Sequence, residues 1–160
     1  MPMRLALPLL LLAMLLAACG PGSDMGSGQP RVDATPEELV AHGMLVQASV
    51  AHTGALPEAI ATRYGVQRER HGFMLVVRVA SPAPGAQAPT PAKVTASVRD
   101  LRGVQQSIAL ANVGAGTAME YVGTFQIQPP DTLTLEVEVT TAEGLVAPLR
   151  FSREVMPAQP

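Results

Sequence analysis

From Thr132 to Thr140 the chain reads Thr-Leu-Thr-Leu-Glu-Val-Glu-Val-Thr, placing Leu133, Leu135, Val137 and Val139 on one side and Thr or Glu on the other. Successive side chains of an extended strand point to opposite faces, whereas a helix would scatter these aliphatics around its circumference. The segment is therefore a half-buried strand. Its apolar face needs a second layer to cover it.

The same period recurs along most of the chain. Met44, Val46, Ala48 and Val50 share a face, as do Val94, Ala96 and Val98, and Ile108 with Leu110. Met119, Tyr121, Gly123, Phe125 and Ile127 form another such set. In the last, Leu145, Ala147, Leu149, Phe151 and Val155 oppose Arg150, Ser152 and Glu154. Phe73, Leu75, Val77 and Val79 also alternate, but Met74 and Val76 make the opposite side apolar too, which predicts a central strand covered on both faces. With Thr132 to Thr140, these give seven expected strands.

The connections favour antiparallel pairing. Asp100-Leu101-Arg102-Gly103 and Ala142-Glu143-Gly144 each read as a tight hairpin turn, and Gln128-Pro129-Pro130-Asp131 interrupts the chain before its most regular strand. Ser81 to Pro91 is rich in Pro, Ala and Gly and has no period, as a surface loop does. Two short helices are predicted. One starts at Thr35-Pro36-Glu37-Glu38 and ends by Gly43; the other runs from Pro57 to Tyr64 with Gly65 as its stop. Strands at this spacing, without long helices between them, predict a mainly β fold: an antiparallel, immunoglobulin-like β-sandwich of about seven strands with one or two short helices.

Ahead of the sandwich, Arg4 precedes the apolar run Leu5 to Ala18, which closes in Leu16-Ala17-Ala18-Cys19-Gly20. A basic start, a short apolar stretch and small residues before a cut are the parts of an export signal. The run is shorter than the roughly 20 residues that cross a bilayer core. Leu16-Ala17-Ala18-Cys19 resembles the lipobox of bacterial lipoproteins, which implies diacylglyceryl transfer to Cys19 and cleavage after Ala18. Cys19 is the one cysteine of the chain, so an internal disulfide is excluded, and lipidation accounts for an otherwise leftover thiol. By analogy with sorting in enteric bacteria, Gly20 favours the outer over the inner membrane. The expected organisation is a lipoprotein signal peptide at 1–18, a flexible Gly/Pro/Ser-rich tether at 19–34 and the sandwich domain at 35–157. A coil of about 15 residues spans on the order of 20 Å, and at most about 50 Å when extended.

Removing the signal takes away Arg4, one of 11 Lys and Arg residues, and leaves ten against 13 Asp and Glu, a formal charge of −3. No basic excess points to nucleic acid. Two Tyr, three Phe and no Trp make the core aliphatic and provide little material for stacking sugars.

The stretch Leu56-Pro57-Glu58-Ala59-Ile60-Ala61-Thr62-Arg63-Tyr64-Gly65-Val66-Gln67-Arg68, followed by Gly72-Phe73-Met74-Leu75-Val76-Val77-Arg78-Val79, resembles a family of small exported proteobacterial proteins, domain of unknown function 4426. The resemblance covers roughly residues 37 to 156. It implies an immunoglobulin-like sandwich and export, and it carries no activity, substrate or catalytic residue with it.

Catalytic and metal signatures are sparse. His42, His52 and His71 show no zinc-site spacing, and His52 reads as a boundary residue at a strand end. No Ser occupies a Gly-x-Ser-x-Gly turn, and Glu136 with Glu138 share a solvent face, as residues two apart on any strand do. Neither a cofactor nor a metal is expected. The candidate recognition patch is Arg63, Tyr64, Arg68, Glu69, Arg70 and His71, because loops on rigid β scaffolds carry recognition and Arg forks fit carboxylates and phosphates. The competing reading is a solvated connection in which Arg68 pairs locally with a Glu and Tyr64 packs over the sandwich end.

These features predict a lipid-anchored protein of the cell envelope, facing the periplasm and acting as a non-catalytic binding or assembly module. Its expected partners are the membrane, reached through Cys19, and an envelope protein or anionic ligand. The alternatives are an envelope hydrolase using loop residues and a periplasmic chaperone acting by β-strand augmentation.

Overall fold

A computed structural model describes residues 35–157 apart from 92, 115 and 116. The expected signal peptide, the expected tether and Cys19 lie outside the described residues. Nine strands are present among them: β1 (Glu37–Ala41), β2 (Met44–His52), β3 (Gly72–Ala80), β4 (Lys93–Arg99), β5 (Gln105–Ile108), β6 (Ala111–Asn112), β7 (Ala118–Gln126), β8 (Asp131–Thr140) and β9 (Val146–Val155). One helix, α1 (Glu58–Tyr64), lies between β2 and β3.

The strands form two antiparallel sheets, ordered β1-β2-β3-β7-β6 and β5-β4-β8-β9. Taken in chain order, β2, β3, β7 and β6 occupy the places of strands A, B, E and D of an immunoglobulin sandwich, and β5, β4, β8 and β9 those of C′, C, F and G. The expected fold is therefore the observed one. Leu133, Leu135, Val137 and Val139 of β8 are almost fully buried against Phe73, Leu75, Val77 and Val79 of β3, within one core between the sheets. Full burial of each such aliphatic side chain contributes roughly 1.5–3 kcal/mol.

β3 is covered on both faces. Its outward residues Met74 and Val76 pack beneath α1 with Leu56, Ile60, Ala61, Tyr64, Val66 and Val122. Pro57 opens the helix and Gly65 closes it in the left-handed region at φ 64°, donating its amide to Thr62 O. Both boundaries agree with the expected helix.

The first expected helix is a correction, because Glu37–Ala41 is the edge strand β1. His42 and Gly43 both take positive φ, 51° and 71°, and reverse the chain so that Ala41 meets Met44 and Leu39 meets Val46. Two turns of isolated helix have little stability, whereas the hairpin seats Leu39 and Ala41 on the core. The strand count rises from seven to nine through β1 and the two-residue β6. Leu145 is a second correction: it sits in the β8–β9 turn, half exposed, while Ala147, Leu149, Phe151 and Val155 are buried. Both predicted hairpin turns are present, Gly103 at φ 85° and Gly144 at φ 83° donating to Asp100 O and Thr141 O.

Edges β1 and β9 lie on the same side of the sandwich and are joined there by side chains. Arg153 of β9 donates to Thr35 O at 2.6 Å and pairs with Glu37 at 3.2 Å. Val146 O accepts from His42 Nε2 at 3.2 Å. Thr141 donates to Leu145 O, so by antiparallel alternation Val146, Pro148, Arg150, Ser152 and Glu154 turn their backbone groups toward the free edge. Pro148 offers no donor there.

The register also fixes which turns share an end. Strand ends Glu37, His52, Gly72, Arg99, Gln126, Asp131 and Val155 lie together, at the end that carries α1, the β3 approach and the β4–β5 hairpin.

Candidate functional site

The site is built where β2 gives way to a single 3-10 turn, Thr53–Ala55, and the segment 65–71 returns from α1 to β3. Thr53 is 1% exposed. Its hydroxyl oxygen accepts the Glu69 amide at 3.1 Å, and its hydrogen is shared between Gly72 O at 3.1 Å and Glu69 O at 3.2 Å. His52 Nε2 donates to Arg70 O at 2.8 Å; a carbonyl only accepts, so the hydrogen is on that nitrogen. Arg68 Nη2 donates to Gly54 O at 3.0 Å. Four bonds thus fix the segment from the inside.

Two glycines permit this approach. A Cβ on Gly72 would stand 2.5 Å from Thr53 Oγ1, and one on Gly54 would stand 2.9 Å from Cε1 of the His52 ring and 3.0 Å from Glu69 O. The His52 ring meets Phe73 edge-on at 5.0 Å, and its Nδ1 is buried without a hydrogen-bond partner.

The predicted patch divides in two. Arg63 and Tyr64 end α1, with the Arg63 guanidinium 5.4 Å from the Tyr64 ring centre. The Tyr64 hydroxyl leaves the loop and donates to Glu120 Oε2 on β7 at 3.4 Å. Burial raises the Tyr64 phenol above its ordinary value and the Glu120 carboxylate raises it further, while Arg63 opposes them, so the hydroxyl remains a donor. Tyr64 packs over the outer face of the β3 sheet. Arg68, Arg70 and His71 form the second part and are exposed. His71 O accepts from Ile127 N at 3.0 Å, carrying the β3–β7 ladder one step further.

Arg68 does not pair with a glutamate; its bond is to a backbone carbonyl. Among the described residues the ion pairs are Arg102–Asp100, Arg150–Glu136 and Arg153–Glu37, so Arg63, Arg68 and Arg70 carry no carboxylate partner. Glu69, in their midst, accepts from Gln126 Nε2 at 2.8 Å. Beside it lies a cleft of about 420 Å³ lined by Thr53, Val66, Gln67, Glu69, Thr124 and Gln126 among others. A smaller one of about 260 Å³ joins His71 to Asp100, Arg102, Val104 and Gln126. The arrangement can present the Arg68 guanidinium, held on Gly54 O, to an anion.

The histidines are apart. His42 reaches Val146 at the opposite end, His52 is turned into the sandwich, and His71 lines the smaller cleft. Sequence reasoning missed Thr53 and Gln126, whose roles depend on partners 16 and 57 residues away. Cys19 lies outside the described residues.

Residues 41–157 match the family model described as Domain of unknown function (DUF4426). The chain belongs to this family. No curated protein matches the sequence. A solved DUF4426 family protein (PA0388) from Pseudomonas aeruginosa PAO1 is 20% identical and superposes with a TM-score of 0.63, over 78% of this chain and 97% of that one. At that identity the likeness concerns the fold. FetP of uropathogenic E. coli strain F11 is 10% identical, with a TM-score of 0.49 over 78% of this chain and 97% of its own. In this DUF4426 domain the α1–β3 connection is stapled to one end of the sandwich by His52, Thr53 and Arg68.

Proposed function

We propose that this chain is a lipid-anchored binding module of the bacterial cell envelope, facing the periplasm and held by acylated Cys19. The pinned α1–β3 segment is its contact surface, and it recognises anionic groups without catalysing a reaction on them. The observation that carries this reading is the pair Arg68 and Arg70. Both are exposed and neither has a carboxylate partner among the described residues; the Arg68 guanidinium rests on Gly54 O, the Arg70 carbonyl accepts from His52, and Glu69 between them is held by Thr53. A preorganised loop loses little freedom on binding, so more of its contact energy appears as affinity. The Leu16-Ala17-Ala18-Cys19 motif supports the anchor, and its resemblance to the lipobox supports the envelope location, with Gly20 favouring the outer membrane.

Strand donation is less well supported, since the long edge β9 lacks a donor at Pro148 and its Val146 carbonyl is occupied by His42. Photo-crosslinkers placed at Gln67 and Glu69 test the contact surface in intact envelopes. The expected result is a reproducible set of adducts that Arg68→Glu with Arg70→Glu removes. Identical adducts in the charge-reversed protein would refute the reading.

A further inference from the structure

We draw no further inference here: the strongest candidate, the cleft of about 420 Å³ between the α1–β3 connection and the end of β7, belongs to the site already described, and its one charged lining side chain, Glu69, is bonded to Gln126 and selects no class of ligand.

Discussion

The hydroxyl of Thr53 accepts the backbone amide of Glu69 at 3.1 Å, joining the end of β2 to a segment that returns only after a helix has intervened. One buried side chain thereby ties residues 65–71 to the end of the sheet, beside the bonds of His52 and Arg68. Thr53→Val keeps the shape and removes the bonds, leaving the Glu69 amide without its partner. The expected loss is about 2 kcal/mol in denaturant unfolding, with faster amide exchange at Glu69, and Thr53→Ser is expected to retain most of the stability. Exchange at Glu69 unchanged by Thr53→Val would show that the pin is not needed.

Close backbone approach predicts a second sensitive position. A Cβ on Gly123 of β7 would stand 2.5 Å from Ala109 O and 2.6 Å from the Ile108 side chain, where the β5–β6 connection crosses. Gly123→Ala is expected to cost about 1–3 kcal/mol, read as a lowered denaturation midpoint. Gly65→Ala has open space around it and fails only through its positive φ, so a smaller cost of roughly 1 kcal/mol is expected there.

The β4–β5 hairpin should carry an acid dependence. Burial works to raise the Asp100 carboxyl, but the Val104 amide and the Arg102 guanidinium outweigh it and hold the group below the ordinary carboxylate range. A lowered folded value means that the contribution is complete above the unfolded value of about 4 and is lost as pH falls through the folded value. Asp100→Asn is expected to flatten the fall in stability between neutral pH and about pH 3, measured by thermal unfolding. An unchanged slope would assign the acid sensitivity elsewhere.

The free edge of β9 predicts an association phenotype. Pro148→Val restores a donor on that edge, and His42→Ala frees the Val146 carbonyl. Together they are expected to raise concentration-dependent self-association above that of the unsubstituted chain in light scattering. No increase would show that the side chains of Arg153 and Glu37 suffice to protect the seam.

How much of this could be read from residues alone depended on whether the information was local. β8 was legible because Leu133 to Val139 satisfy one period without exception, and α1 because Pro57 and Gly65 mark both its ends. Glu37–Ala41 was misread, since Thr35-Pro36-Glu37-Glu38 imitates a helix start and His-Gly is an uncommon pair for a tight hairpin. β6 left no pattern at two residues and exists because β7 is at hand to pair with it. The arginines of the candidate site stood out as a local run. Their fixed backbone did not, because Thr53 looks like any turn residue until the fold brings Glu69 and Gly72 to it.

Fractionation of cells expressing the wild type and Cys19→Ser decides whether the domain is held by a lipid at Cys19. Wild-type protein is expected in the membrane fraction, released only by detergent and carrying acyl chains by mass spectrometry, with the Cys19→Ser protein in the soluble fraction. Wild-type protein that is soluble without detergent, or a Cys19→Ser protein that remains with the membranes as an integral protein would, contradicts it.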